Sequence, residues 1–447
     1  MFTFREEKDL AAFEAFVLSR GGIYLQSAKW ARVKLEWRSR FYSGFDASGE
    51  RCLTALVMER HIPGAGRIWY SPAGAVCDYG DEALLMAFAA FIRGEMKRAG
   101  ATALFFDPCV PLRVNGEAQP EGKAAHGALL SAGFRLNPNA SRCLYKAPVQ
   151  LMLPLKTPEG KAKTPAELLK GFEKGVRYSV RVGENRGLTE RIYTIADVER
   201  DPSIMADFAD VMRDTSGRND FVERGSDYEK RLLSVFGAEG MDVMLIYYDK
   251  KKDAAGQAER LARRAGLAAA LPTAPEKKRR GITEEIESID KQTEHYGERL
   301  RETADDPRDL ICVAGGMTSN YNGMRSCLFG GAKDLLRNNL RASHYFNFRR
   351  ICRSIELGAA VHDLGYVLLK DTPPSPDGTL GPCVPNGEFE GICAFKKSFS
   401  ADYVEYIGEY VLVGNPALYF SYTHLIDKAR AAQGLVNRIV RGRRNGV

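Results

Sequence analysis

The chain has 447 residues, 45% apolar and 27% charged, with a net charge of +7. That is too long for one ordinary core and reads as a soluble globular protein of about two or three domains. No run approaches the ~18 uninterrupted apolar residues of a membrane span. The charged start, Met1-Phe2-Thr3-Phe4-Arg5-Glu6-Glu7-Lys8-Asp9, lacks the apolar segment of a secretory signal. The expected setting is therefore the cytoplasm or the cytoplasmic face of a membrane.

The nine cysteines form no C-x-x-C pair and the six histidines are scattered. This pattern points to reduced thiols and away from a metal centre. The mild positive excess favours a polyanionic partner without identifying it.

Residues 4 to 20 follow a helix-like pattern that stops at Gly21-Gly22, and Cys52 to Met58 reads as a buried strand. Leu84, Leu85, Phe88, Phe91, Ile92 and Met96 lie at helical spacing before Gly100, and Ala103-Leu104-Phe105-Phe106 then forms a strand ending at Asp107-Pro108. The second half repeats the unit: a helix from His344 to Glu356, a stop at Leu357-Gly358, and a strand from Ala359 to His362 leading into Asp363. Helix, glycine stop, strand and terminal Asp occurring twice imply two copies of one α/β domain. Glycine and Asp are seven residues apart in the first copy and five in the second, so the repeat is approximate.

Between the copies, Lys170, Lys174, Arg177 and Arg181 recur at intervals of four, three and four, a spacing that places all four on one helix face. A solvated face and a phosphate-tracking stripe both fit; the lack of an acidic residue on the stripe favours the second. Residues 249 to 305 differ from their surroundings. Ala254, Ala258, Leu261, Ala265 and Ala268, then Ile282, Ile286, Ile289, Thr293, Tyr296 and Leu300, follow heptad spacing on either side of Leu271-Pro272-Thr273-Ala274-Pro275. The expectation is an antiparallel helical hairpin (a coiled coil) with the basic tip Lys277-Lys278-Arg279-Arg280.

Gly391 to Phe399 follows a Pro/Gly-rich run, so Lys396 and Lys397 are expected where a loop meets a rigid element. Beside Phe395 and Phe399, such lysines can grip a phosphate or polarise a carbonyl, or merely keep a strand edge soluble. At the C-terminus, Leu425, Ile426, Leu435, Val436, Ile439 and Val440 alternate with six Lys and Arg residues. That end fits either a helix packed on the first domain or a basic amphipathic segment resting on anionic lipid.

Several dispersed motifs occur in one order. They are Gln26-Ser27-x-x-Trp30-x-x-Val33-Lys34, Asp107-Pro108, Arg177 to Gly187, Thr215-x-x-Arg218-x-x-Phe221, Cys327 to Gly331 followed by His344, His362 to Gly365, Gly391-x-x-x-Phe395-Lys396-x-x-Phe399, and Tyr406-Ile407-Gly408-Glu409. Together they resemble the FemABX family, aminoacyl-tRNA-dependent peptidyltransferases that add bridge residues to peptidoglycan precursors. The resemblance implies an α/β fold of two tandem acetyltransferase-like (GNAT-like) domains. The first would cover 1–150 and the second 151–414, with the hairpin at 249–305 inserted in the second and 415–447 returning to the first.

It also implies that Lys396 lies near the tRNA end with Phe395 shaping its pocket, and that Asp107 stands near the acceptor amine. Lys34 and Arg218, with Trp30 and Gly330, would bind the precursor. Lys170, Lys174, Arg177 and Arg181 would carry the tRNA. The partners are then aminoacyl-tRNA, not DNA, and a precursor for which the basic C-terminus favours the lipid-linked form, met at the inner membrane surface. No cofactor and no metal is implied.

Two departures from the family pattern stand out. Cys327, Phe329 and Ala332 surround the Gly-Gly pair where tyrosines and a hydroxyl residue are common, and Ser71-Pro72-Ala73-Gly74 replaces an Arg-Gly-Pro type turn. Two other readings remain open: an acetyl-CoA-dependent N-acyltransferase, from Gln119-x-x-Gly122-x-Ala124 before a helix, and an RNA- or membrane-associated scaffold built on the hairpin.

Overall fold

The computed structural model describes residues 1–219 and 225–425. Phe221 and the basic segment after Leu425 lie outside the described residues. The chain divides into two compact units. One comprises Met1–Leu151, Tyr366–Ala394 and the described residues from Asp402 onward; the other comprises the described residues of Met152–Gly365 and Phe395–Ala401. Residues 366–394 and 402–414, expected with the second half, therefore sit with the first.

The first unit is built on an 8-stranded sheet in the order Thr3–Glu6, Arg38–Phe45, Arg51–Ile62, Gly66–Ser71, Ala101–Phe106, Tyr410–Val413 and Arg135–Leu136, with Val76–Cys77 paired to Arg51–Ile62. All pairings are antiparallel except Gly66–Ser71 with Ala101–Phe106. A parallel pair needs a crossover, and the helix Glu82–Ala99 supplies it. Asp81 accepts from the Leu84 N–H at its start, and Gly100, at φ 65°, stops it in the left-handed conformation. Its buried face carries Leu84, Leu85, Phe88, Ile92 and Met96.

The second unit repeats that scheme. Leu188–Tyr193, Met241–Asp249, Leu310–Tyr321 and Met324–Ala332 run antiparallel, and Val361–Asp363 then pairs parallel to Met324–Ser326. Met152–Pro154 closes on Val361–Asp363. Here the crossover helix is Ala342–Glu356, which packs Tyr345 and Phe346 onto Leu188, Met244, Ile246 and Val313. The two helix–glycine–strand–Asp segments read from the sequence are thus the two crossovers onto a parallel strand.

Residues 250–302 leave the second sheet as two helices, Lys250–Ala270 and Glu276–Glu302, joined through the 3-10 turn Leu271–Thr273. Gln257 pairs with Thr293, Arg264 with Asp290 and Arg263 with Glu285, so the helices run in opposite directions. The facing seam of the first helix is not the expected one. Ala254, Ala258, Leu261, Ala265 and Ala268 are all exposed, whereas Asp253 and Gln257 are buried. At the base, Arg299 makes two bonds to Asp253 (2.7 and 2.9 Å) and a third to Asn339, and Tyr248 also donates to Asp253. With Arg299 and Asp253 both buried, this paired charge fixes the root of the arm and depends on every partner being present.

Candidate functional site

Lys396 and Lys397 occupy the last turn of a helix, Gly387–Lys397, and not a junction of loop and strand. Asn386 accepts from the Glu388 N–H, Glu388 and Glu390 fill the first turn, and the lysines fill the last, so the charges complement the helix dipole. The two lysines differ: Lys396 is half-buried and Lys397 is exposed. A Cβ placed on Gly365, where φ is 83°, would stand 3.4 Å from Lys396 Nζ and 3.5 Å from the Cys327 carbonyl oxygen. The ammonium therefore rests on the backbone just beyond the strand Val361–Asp363. Phe395 meets His344 edge-on at 4.9 Å and Phe399 at 5.4 Å, and Phe399 packs on Phe172. These rings form one aromatic cluster on the helix that carries the lysine.

Gly330 lies in the strand Met324–Ala332 and not in a turn. A side chain there would collide with Arg350 and Phe346, and one at Gly331 would collide with Thr215. The pair thus lets two helices approach the sheet. Arg350 itself is buried; it donates to Thr318 Oγ1 and to the Met317 and Phe329 carbonyls, and lies 4.8 Å over the Phe346 ring. Arg218 donates to the Ala332 carbonyl and stands 3.1 Å from Asp334, so it braces the end of that strand.

Asp107 and Lys34 belong to the first unit. Asp107 is buried; it accepts from Tyr70 Oη at 2.9 Å and from the Ala73 N–H at 2.7 Å. Gln26 donates to the carbonyl of the same Ala73, whose φ is 58°. Three separated motifs, Gln26, Ser71–Gly74 and Asp107, therefore converge on one strained turn. Burial pushes the Asp107 carboxyl up to about 7, against the pull of Lys146 and its two donors. Burial likewise pushes Glu409 up to about 8, although it accepts from the Leu144 N–H and from Asn137. Lys34 stands 4.9 Å over the Trp30 indole and 4.0 Å from Glu36, and Trp30 is buried.

The basic stripe is not one helix face. Lys170 ends the helix Pro165–Gly171, the backbone extends at Phe172, and Lys174 begins the helix Lys174–Asn185. Lys170, Lys174 and Arg181 are exposed. Arg177 is half-buried and turns back to the Lys170 and Phe172 carbonyls. Its charge caps the first helix. Gly122 of the acyl-CoA-like motif presses on Pro111 and Leu112, where a Cβ would come within 2.7 Å of the Leu112 Cα, so packing accounts for that glycine. Among the described residues, no three His, Cys, Asp or Glu side chains gather to hold a metal ion, and no helix is long and apolar enough to cross a membrane.

Two α/β units of one scheme, each with a crossover helix onto a parallel strand, make up the fold, and Lys396 stands at a helix end beside the second of those strands. The chain belongs to the FemAB family, whose model matches residues 9–427. It is 25% identical to a lipid II:glycine glycyltransferase of Staphylococcus epidermidis over 426 residues, 93% of each chain. The enzyme of the same name from Staphylococcus aureus is 25% identical over 418 residues, covering 91% of this chain and 92% of that one. The crystal structure of FemX superposes with a TM-score of 0.70 at 22% identity, covering 93% of this chain and 98% of that one, a likeness of fold.

Sequence reasoning places His362 in a motif without giving it a role, and singles out neither Ser354 nor Arg350. Cys327 and His362 are 35 positions apart, and only the parallel pairing of Ser326 with Asp363 brings their strands side by side.

Proposed function

We propose that this chain transfers an amino acid from aminoacyl-tRNA to the stem-peptide amine of a lipid-linked peptidoglycan precursor, at the cytoplasmic face of the membrane. The observation that carries the reading is the family match over nearly the whole chain, together with a half-buried Lys396 held beside Gly365. In the net reaction an amide C–N bond forms, the ester C–O bond to the terminal ribose breaks, and the ribose hydroxyl leaves. The ester is already activated, so a fixed charge and good positioning supply most of the rate.

Lys396 balances the negative charge that develops on the carbonyl and the leaving oxygen, and Phe395 keeps water from it. Lys34, held over Trp30, is the cation for the precursor diphosphate. Arg218, committed to Ala332 and Asp334, and Gly330 shape the end of their own strand in the second unit and contact the precursor from there. Asp107 positions the Ala73 turn, so its part in acceptor binding is indirect. Exposed Lys170, Lys174 and Arg181, with the Lys277 to Arg280 tip, are the phosphate contacts for tRNA.

The test is to incubate the protein with a panel of charged tRNAs and with lipid-linked and nucleotide-linked precursors, and to weigh the products. A mass gain of an aminoacyl residue on the lipid-linked precursor supports the reading. No gain with any donor overturns it.

A further inference from the structure

The helix Lys174–Asn185 starts where the Lys396 segment ends. The Glu173 N–H donates to the Ser398 carbonyl at 3.0 Å, Ser400 Oγ donates to the Gly171 carbonyl at 2.7 Å, and the Phe172 ring meets Phe399 at 5.3 Å. All six residues belong to the same compact unit. The start of the helix is thus tied to the backbone two residues beyond Lys396. At its far end the Asn185 carbonyl accepts from Arg260 of the arm at 3.2 Å, so the helix runs from the lysine to the root of the arm.

Val176, Ser179, Val180, Val182 and Gly183 turn inward, which leaves Lys174, Tyr178, Arg181 and Asn185 exposed. Their intervals of four, three and four place them in one stripe along the helix. Tyr178 stands in the middle of that stripe and is 58% exposed. Exposed Glu184 lies off the stripe, about 120° round the helix from Tyr178. An aromatic ring is therefore presented to water between two cations.

A cation binds a phosphate and is blind to the base, whereas an open aromatic ring binds a base by its face. Only an unpaired strand offers that face, because in a duplex it is hidden in the stack. Lys174 and Arg181 are about 10 Å apart along the helix axis, the span of about two or three nucleotides of a single strand. The spacing fits two phosphates with a stacked base between them.

We propose that Tyr178 is a stacking platform for an unpaired nucleotide on the 5′ side of the esterified ribose, with Lys174 and Arg181 on the flanking phosphates; this rests on the aminoacyl-transfer reading above. The ligand is a single-stranded RNA end. The stripe selects donors by their unpaired 3′ extension, and it tolerates any base, since every base has a face to stack.

The experiment measures binding of the full-length protein to two short RNAs, a single strand carrying 2-aminopurine near its 3′ end and a blunt duplex. Wild type should quench the 2-aminopurine, the signature of stacking. Tyr178→Ala should weaken single-strand binding by about 10-fold and lose the quench. It should leave duplex binding, the salt slope and the melting profile unchanged, because an exposed ring is neither a phosphate contact nor part of the core. Tyr178→Trp should restore affinity and quench together. In transfer assays Tyr178→Ala should raise KM for aminoacyl-tRNA with kcat little altered.

If wild type transfers from aminoacyl-tRNA but Tyr178→Ala binds and quenches the single strand equally well, the stacking proposal alone is overturned. An equal loss of binding for both RNAs in that variant would overturn it too. A wild type that makes no product from any aminoacyl-tRNA would overturn the functional reading and this inference with it.

Discussion

At the scale of single residues, the lysine pair separates into two roles. Lys396 is half-buried against Gly365 and Lys397 is exposed, so Lys396→Ala should lose transfer by about 10²-fold or more while Lys397→Ala stays near wild type. Both should keep the melting temperature within a few degrees, because each removes only a helix-end charge worth about 0.3–1 kcal/mol. Equal activity of the two variants, read as transfer rate, would remove Lys396 from the mechanism.

Glu409 makes a prediction of the opposite kind, about stability. Its folded carboxyl is pushed up to about 8 from 4.5. Between those values the folded chain holds a proton that the unfolded chain has lost, so stability falls as pH rises through the window and the loss persists above it. Glu409→Gln cannot ionise. The melting temperature of wild type relative to this variant should therefore fall from about pH 5 to about pH 9; a constant difference would show that Glu409 is ionised throughout.

At the scale of elements, the legible parts are those with a strong period and a clear stop. The helix ending at Gly100 and the one ending near Gly358 can be read because apolar residues recur at helical spacing and glycine closes each. The first helix of the arm misleads because alanine tolerates exposure. Its heptad of Ala254, Ala258, Leu261, Ala265 and Ala268 faces solvent, while the polar Asp253 and Gln257 turn inward to Arg299 and Thr293. No hydrophobic pattern announces a seam made of paired polar groups. The basic stripe misleads for another reason: buried Phe172 breaks the helix between Lys170 and Lys174. The helix of Lys396 is hidden by the prolines ahead of it, although Asn386, Glu388 and the terminal lysines carry its start and stop signals.

Two tests belong at this scale. Asp253→Ala leaves Arg299 buried without its partner and should cost about 3–5 kcal/mol, seen as a lower denaturation midpoint; a loss under about 1 kcal/mol would mean the arm is not anchored there. Lys174→Glu with Arg181→Glu should weaken tRNA binding and flatten its dependence on salt, by a slope of about 0.7–0.9 per lost phosphate contact. An unchanged slope would return that face to plain solvation.

At the scale of the whole molecule, the two α/β units are the same supersecondary scheme used twice, a repeat legible in the sequence because both crossovers end in an Asp. Asp107 and Asp363 nevertheless do different work. Asp107 holds the Ala73 turn, and Asp363 accepts from the Gly365 N–H at 2.7 Å beside the lysine. The candidate site is only half legible. Lys396 and Phe395 belong to a local motif, whereas the contacts of His362 with Cys327 and Ser354 come from a parallel strand pairing and a crossover helix, which motifs read one at a time do not show.

The central claim is that the donor is an RNA ester and the acceptor a peptidoglycan precursor amine. It is tested most directly by weighing the precursor after reaction with charged tRNA, with and without prior alkaline digestion of the donor's aminoacyl ester. The account predicts a gain of an aminoacyl residue that digestion abolishes. A gain that survives digestion, or one of an acetyl group from acetyl-CoA in place of it, would contradict the account.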